Sequence, residues 1–576
     1  MTLDRNSTAL GAEPFDWRDV AWILLWVALL IASGYGFRDP WPADEPRFAS
    51  LARDMVASGN WIIPRVGGDL YQDKPPVYFW LLAASYALIG SVRWSFLVPS
   101  LLASCVTALL VYDLGRRLYG RRAGLCAALL LASSLQFVIT MRGAQIDPTL
   151  LMFSTLSVWA FCRHLLLGPH WRAYFLGGLA AGVGVVTKGV GFLPLLLIPL
   201  FFALRRARFS GLAQIEAGGL KWWLAPLGFV LGVGVWLVPM LLTVQLSGSA
   251  ELIAYRNEIL LQQTVQRYAK SWHHVKNWYY FVVEVIPPLW LPLSALLFWL
   301  VPRWWRDWQA RRADIALLLG WVLLVLLFFS ASPGKRGVYL LPALPVAALA
   351  AAAHLPGLFE KRSVARLSLG LAALLVVAGV IAAVAAMLGE PRITSTLTEG
   401  GVNSFTPLLL FAVAALLAWI ACAIWRPLLA WPAVLACLAL CWGYGMAPQL
   451  NPVRTTSAFM AGTLTQVPVD IELGLVAYKE QFLLYVDRES VNFGHRRWLE
   501  GPQEAYDAAR WLAAQPNRML LVPASTLAPC FEAASKRPAG TASREIWWLV
   551  NGIPAQSCVK LGDASRAIRY PAHRIG

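Results

Sequence analysis

The stretch Asp44-Glu45-Pro46-Arg47-Phe48, with Tyr71-Gln72-Asp73-Lys74-Pro75-Pro76 at its far end, is a charged island among apolar runs. An acidic pair, an arginine and a lysine at a membrane surface suit a site that handles a phosphate and a developing positive charge. What flanks the island decides the fold class. Of 576 residues, 58% are hydrophobic and only 14% are charged, whereas a soluble domain averages about 25% charged. Apolar runs of ~17–25 residues recur, each long enough for ~30 Å of hydrocarbon. The chain therefore reads as a polytopic α-helical membrane protein. Its 28 tryptophans and 17 tyrosines suit interfacial belts. Residues 1–18 are polar, and no cleavable signal peptide is evident before the first run.

About 13 spans are expected, near 19–37, 95–115, 123–141, 147–167, 173–187, 189–204, 222–245, 280–301, 314–331, 338–355, 364–388, 405–425 and 428–446. Short basic loops orient them. Arg116, Arg117, Arg121 and Arg122 mark one cytoplasmic loop; Arg205, Arg206 and Arg208 a second; Arg303, Arg306, Arg311 and Arg312 a third; Lys361 and Arg362 a fourth. An even number of spans separates each loop from the next. The run 76–92 would break that parity as a span, so it reads as an interfacial or re-entrant helix on the outer face, opened by Pro75-Pro76, the alternative being a true span with the parity broken elsewhere. The outside loops are then 38–92, 246–279, 331–338 and 389–404. The net charge of +17 partly reflects the inside loops. Arg256, Arg267, Lys270, Lys276, Lys335 and Arg336 fall outside, and they call for a polyanionic partner or a functional role.

The chain divides into a transmembrane domain, 1–446, and an outer domain, 447–576. In the latter, Gly474–Tyr478, Phe482–Val486, Met519–Val522 and Ile546–Val550 read as strands, with a helix at 502–514. This alternation predicts a small α/β domain with partly parallel pairing. No Gly-rich phosphate loop follows a strand, and there is no internal repeat. Cys105, Cys126, Cys162, Cys422, Cys437 and Cys441 lie in spans as small apolar residues. Cys530 and Cys558 form an even pair in the outer domain and suit a disulfide.

Phe48, Leu51, Ala52, Met55 and Val56 recur at helical spacing up to Gly59, which predicts an amphipathic helix lying on the membrane. Asp44 is its expected cap and Glu45 falls in its first turn; either can also serve chemistry. Lys74 and Arg47 are candidate phosphate ligands, with Tyr71 beside them. Asp147, between the third and fourth spans, either caps the next helix before Pro148 or faces an outer cavity. Lys188, at membrane depth, needs a partner or water. His273 and His274 are adjacent and lack ligand spacing, so no metal is expected. Lys335, Arg336 and Tyr339 at the outer face suit a phosphate or an interfacial anchor.

Together these motifs resemble the membrane glycosyltransferases that use polyprenyl-phosphate sugars. The resemblance is greatest to the lipid A 4-amino-4-deoxy-L-arabinose transferase family, relatives of the protein O-mannosyltransferases. It rests on Asp44-Glu45-Pro46-Arg47-Phe48-Ala49, Asp73-Lys74-Pro75-Pro76, Asp147, Thr187-Lys188-Gly189, and Lys335-Arg336 followed by Tyr339-Leu340-Leu341-Pro342, over roughly residues 20–350. Where the family often has Glu-Lys-Pro-Pro, this chain has the shorter acid Asp73. The resemblance implies a GT-C fold in a bacterial inner membrane, with the active site on the periplasmic side. It implies an undecaprenyl-phosphate aminoarabinose donor, a lipid A phosphate acceptor, and a product that confers resistance to polymyxin and other cationic peptides. In that setting Asp44, Glu45 and Asp147 are the catalytic candidates. Lys74, Arg47, Tyr71, Arg256, Arg267, Lys335 and Tyr339 are the donor-phosphate ligands. No cofactor is required and no nucleic-acid partner is expected. Two alternatives stay open: a related transferase acting on another lipid or on protein hydroxyls, for which Asp44 would be a true base, and a lipid-phosphate transporter or flippase. The lack of a repeat and the gathering of charges at one face disfavour transport.

Overall fold

The computed structural model describes residues 15–215, 218–260, 275–494 and 502–572. The chain forms two compact units. One comprises Met1–Gly34, Pro99–Thr394 and Ser404–Met446; the other comprises Tyr35–Val98, Ser395–Asn403 and Ala447–Gly576. The expected division at residue 446 thus differs from the compact units in two respects: the charged first loop and the short segment Ser395–Asn403 both fold with the C-terminal residues.

The first unit is helical. Among the described residues, seven helices are long and apolar enough to cross a membrane, or up to nine if each bent pair is one span. Several predicted spans correspond to shorter helices. The run at 19–37 is Trp17–Val27 continued by the π-turn Ala28–Ala32, and 338–355 holds the helix Ala343–Ala352. The run at 147–167 is the helix Ile146–Leu165, with Thr149, Ser154, Thr155 and Ser157 all buried.

Two of the predicted spans are bent. Arg121–Ala132 and Leu135–Met141 meet at 60°, and Phe281–Leu289 and Leu293–Gln309 at 109°. At the first bend the Leu135 N–H donates to the carbonyl of Leu291, 3.0 Å away, instead of continuing its own helix ladder. A helix whose ladder is interrupted in this way kinks there.

The helices Trp171–Val185 and Leu224–Ser247 pack backbone to backbone through glycines four apart. A Cβ on Gly178 would lie 2.0 Å from the Ala225 carbonyl oxygen, and one on Gly182 2.2 Å from that of Phe229. From the other side, Gly228 and Gly232 meet the carbonyls of Phe175 and Leu179 at 2.4 and 2.3 Å. Small residues at this spacing let membrane helices approach closely where lipid gives no hydrophobic drive. That contact fixes the end of Trp171–Val185, from which Lys188 emerges.

The second unit carries the β-structure. Arg65–Val66 (β1) and Asp69–Leu70 (β2) form a small hairpin. A six-stranded sheet follows: Glu472–Leu475 (β3), Ser490–Asn492 (β4), Arg518–Pro523 (β5), Ser535–Ala542 (β6), Glu545–Asn551 (β7) and Ile568–Tyr570 (β8), in the order β6-β7-β5-β3-β4-β8. The central β5, β3 and β4 run parallel; β7 and β8 pair antiparallel to β5 and β4. The β6–β7 hairpin turns through Ser543 and Arg544, both at positive φ, as a two-residue turn matching strand twist requires. The helix Gln503–Ala513 buries Ala505, Ala508, Trp511 and Leu512 beneath the sheet. Cys530 and Cys558 are disulfide-bonded within that core, with Cα atoms 5.6 Å apart.

One predicted strand is not a strand. Phe482-Leu483-Leu484 belong to the 3-10 turn Glu480–Leu484 and are all buried. Phe482 packs edge-on against Trp547 at 4.8 Å, and the Leu483 carbonyl accepts from Arg53 at 2.7 Å. β4, β6 and β8 were not expected from the sequence.

Candidate active site

The first-loop helix runs Glu45–Ser58 and stops at Gly59, whose φ of +69° only glycine adopts without strain. The spacing predicted both. It also predicted a helix resting its apolar face on the membrane, and here the structure differs: that face is covered by protein. Phe48 meets Tyr78 at 5.5 Å and Phe79 at 5.3 Å, on the helix Val77–Ile89, and Tyr71 meets Phe79 at 5.6 Å. This aromatic cluster holds the two ends of the charged island together. The helix Val77–Ile89 has 13 residues, about 20 Å at 1.5 Å per residue, so by itself it is too short to cross ~30 Å of hydrocarbon.

Asp44 occupies the N-cap position but makes no side-chain capping bond. Its backbone is helical rather than extended, and Pro46 brings no N–H to the first turn. Its side chain, 41% exposed, lies instead 3.8 Å from Arg47. Arg47 is the hub. Its Nε donates to Glu480 at 2.9 Å, and its Nη1 lies 4.0 Å from Asp73. Burial works against the Arg47 charge, but Glu480, then Tyr71, Asp44 and Asp73, hold its pKa above the usual value. Tyr71 is fully buried beside this hub. Burial first, and then the Asp73 charge, raise its phenol well above the ordinary range, so it stays neutral. Lys74 follows Asp73 and is half-buried.

Glu45 faces another way. Its carboxylate takes a two-pronged contact from Arg38, at 2.5 and 2.9 Å, and the Trp41 N–H at 2.8 Å. The Arg38 guanidinium stacks over Trp41 and Phe96. Glu45 therefore braces the loop that leads into the helix.

In the helical unit, Asp147 and Lys188 pair at 2.6 Å, and the Lys188 ammonium lies 5.3 Å over the ring of Tyr339. The helix begins at Ile146 with Gln145 at its N-cap position, so Asp147 is in the first turn and is not the cap. Lys335 is 4% exposed, and its ammonium donates to the carbonyls of Lys276 (3.0 Å) and Ser332 (2.5 Å). It pins its own loop, whereas Arg336 is exposed. Arg256, on the helix Ala250–Asn257, bonds the Asn257 side chain at 2.9 Å. Arg267, His273 and His274 lie outside the described residues. Among the described residues there is no group of three or more metal-ligating side chains.

Sequence reading missed Glu480 and a buried trio behind the helix. Arg53 donates to the Tyr570 hydroxyl at 2.7 Å, and that hydroxyl donates to Asp54 at 2.6 Å. Burial raises the Asp54 carboxyl to about 6, against the pull of Arg53, Tyr570 and the Gly67 N–H.

Residues 73–212 match the family described as dolichyl-phosphate-mannose-protein mannosyltransferase. In fold the chain is like ArnT from Cupriavidus metallidurans. The crystal structure of that protein bound to undecaprenyl phosphate has a TM-score of 0.71 at 20% identity, covering 92% of this chain and 98% of that one. Its apo state gives 0.69. The fold is thus of the GT-C class of polytopic membrane glycosyltransferases. Among curated relatives, the undecaprenyl phosphate-alpha-4-amino-4-deoxy-L-arabinose arabinosyl transferase of Pseudomonas aeruginosa (strain UCBPP-PA14) is 31% identical over 427 residues, 71% of this chain and 73% of that protein. A second such transferase, from Sodalis glossinidius, is 32% identical over 371 residues, 62% of this chain. The chain covers 64% of the Sodalis protein and 63% of the one from Pseudomonas savastanoi. The chain belongs to the undecaprenyl phosphate-aminoarabinose arabinosyl transferase family.

Proposed function

We propose that the chain transfers 4-amino-4-deoxy-L-arabinose from undecaprenyl phosphate to a phosphate of lipid A, at the periplasmic face of a bacterial inner membrane. About 13 spans, an outer C-terminal domain and resistance to cationic peptides go with this reading. The observation that carries it is the charge group around Arg47. Three carboxylates, Asp44, Asp73 and Glu480, surround Arg47, and a second cation, Lys74, follows Asp73 in the chain. The group has one negative charge in excess. It suits a substrate that is anionic at its phosphate and cationic at its sugar.

In the reaction an acceptor phosphate oxygen bonds to the anomeric carbon. The bond from that carbon to the undecaprenyl phosphate oxygen breaks, and its electron pair leaves with the phosphate. The anomeric carbon gains oxocarbenium character on the way. Lys74 and Arg47 offset the charge growing on the leaving phosphate. Asp44, the most open of the carboxylates, faces the sugar ammonium and the developing positive charge. An ionised acceptor phosphate is already a nucleophile, so no general base is needed. Direct displacement inverts the anomeric centre. Tyr71 holds Arg47 in place, and Glu45 braces the loop through Arg38. The helical unit carries a polar group of its own, Asp147 with Lys188 and Tyr339, and Arg256, Arg267 and Lys335 stay as candidate phosphate ligands there, Lys335 on condition that it leaves the carbonyls it now binds.

The match of residues 73–212 to a protein mannosyltransferase family supports a second reading, a hydroxyl acceptor with Asp44 as base. One assay separates the two. Purified protein in vesicles is given undecaprenyl-phosphate aminoarabinose with lipid A or with a hydroxyl peptide, and products are read by mass spectrometry. Addition of aminoarabinose to lipid A alone is expected. Peptide modification without lipid A modification would replace the first reading with the second.

A further inference from the structure

A cavity of about 500 Å³ opens among the helices of the first unit, walled by Trp22, Leu129, Leu296, Leu367, Leu428 and Trp431 among others. That volume is within the usual range for a ligand site, roughly 300–1,000 Å³. The few polar groups at its wall are already used. Ser133 accepts from the Trp26 indole at 3.0 Å, and Ser368 donates to the Leu428 carbonyl at 2.8 Å while accepting from the Trp431 N–H at 3.1 Å. The Trp431 indole donates to the Ser133 carbonyl at 3.0 Å. Polar groups are few on this wall, so what fills the interior does so chiefly as hydrocarbon. Trp22, at 66% exposure, stands at the side open to lipid.

One end of the cavity is cationic. Arg122 lies three and four residues before the wall residues Leu125 and Cys126, and hence on their face of the helix Arg121–Ala132. Lys361 precedes Val364 and Ser368 by three and seven residues, again on one stripe. Arg426 comes just before Leu428 and Leu429. All three cations are exposed, and none has a carboxylate within ion-pair distance among the described residues. Of the acids at this end, Asp16 and Asp19 are taken by Arg121 at 2.5 and 2.7 Å, and Glu360, next to Lys361 in the chain, is exposed and leaves three cations against one carboxylate. The three cations come from three separate segments. The positive-inside rule puts all three loops on the cytoplasmic side.

We propose that this cavity binds an anionic phospholipid of the cytoplasmic leaflet, one acyl chain filling the apolar space and the headgroup phosphate resting on Arg122, Lys361 and Arg426. A basic patch between membrane helices on that side is the arrangement that selects anionic headgroups. None of these residues belongs to the charge group around Arg47, and the site stands whatever sugar the chain transfers.

The test uses delipidated full-length protein in neutral detergent, titrated with phosphatidylglycerol or phosphatidylethanolamine and read by native mass spectrometry. Phosphatidylglycerol binds the wild type more tightly. The combined variant Arg122→Gln, Lys361→Gln, Arg426→Gln loses that preference, by about fivefold per cation removed. Raising the salt narrows the preference in the same way. Leu129→Trp, which fills the cavity, lowers binding of both lipids. If that variant does not fold, the surface-charge variant, with its apolar wall intact, still decides. Equal binding of the two lipids to wild type, or a preference that survives the charge variant, overturns the proposal. So does displacement of phosphatidylglycerol by lower concentrations of undecaprenyl phosphate, which would make this a polyprenyl-phosphate site.

Discussion

Asp44 stands at the head of its helix without capping it. That single geometric fact separates two roles the sequence left open, because asparagine caps about as well as aspartate. Asp44→Asn is expected to leave folding and donor binding intact and to slow transfer on the order of 100-fold, as loss of one stabilising charge does. Unchanged turnover in single-turnover kinetics would remove Asp44 from the reaction. Lys74→Ala is expected to slow transfer by a similar factor, on the order of 100-fold. Lys74→Arg should restore little, because a guanidinium fork does not replace a compact ammonium. Normal rates in Lys74→Ala at matched protein levels would reduce this residue to an interfacial anchor. Asp54 gives a pH prediction. Its folded pKa, about 6, lies above the ordinary 3.8, so the native state holds the proton more tightly than the unfolded chain. The stabilisation is therefore full below about pH 4 and lost as pH rises through 6, amounting to roughly 3 kcal/mol at most. Hydrogen-exchange protection factors in residues 45–70, which remove the intrinsic pH dependence of amide exchange, should rise on acidification from pH 7 to 5 in wild type and lose that trend in Asp54→Asn. An Asp54→Asn profile that still follows pH would assign the effect elsewhere.

The helix Glu45–Ser58 was legible because local signals carry it: helical spacing, an acidic first turn and Gly59 at the stop. The same signals could not say what covers its apolar face, since Phe48 against Phe79 is a matter of packing and not of period. The run Phe482-Leu483-Leu484 failed for a related reason. A short buried apolar run has no periodicity that tells a strand from a turn, and here contacts with Arg53 and Trp547 settle it. The candidate site was half legible. Asp44, Arg47, Asp73 and Lys74 stood close together in the chain, whereas Glu480 is 433 residues away from the arginine it binds. The pair Trp171–Val185 and Leu224–Ser247 yields a prediction at this scale. Gly182→Leu forces a side chain into the space where a Cβ alone would be 2.2 Å from the Phe229 carbonyl. The helices must part, at a typical cost of 1–3 kcal/mol. A matching fall in thermal stability is expected, together with loss of the Lys188–Asp147 pair. A cysteine cross-link between residues 147 and 188 that forms equally well with and without Gly182→Leu would refute the coupling.

For the molecule as a whole, the unit that carries the charge group is assembled from distant parts of the chain, Tyr35–Val98 and Ala447–Gly576. No signal near the first loop announces this. Two of its links, Arg53 to Tyr570 and Gly67 to Asn492, are 517 and 425 residues apart, and pairings at such separation leave no trace in local sequence. Tyr570→Phe is expected to uncouple the link, raising proteolytic sensitivity at residues 60–70 and lowering transfer together. Loss of transfer with unchanged proteolysis would place Tyr570 in the chemistry instead.

The link between Arg53 and the last strand also sets a schedule for making the protein. A ribosome adds roughly 5–20 residues per second, so the 517 residues that separate Arg53 from Tyr570 take roughly 25–100 s to synthesise. Throughout that interval the first loop has emerged without the strand that completes its surroundings, and Asp54 and Arg53 lack the hydroxyl that joins them. A nascent chain in that condition is a natural client for chaperones and proteases on its side of the membrane. Its yield in cells should therefore depend on how quickly β8 arrives.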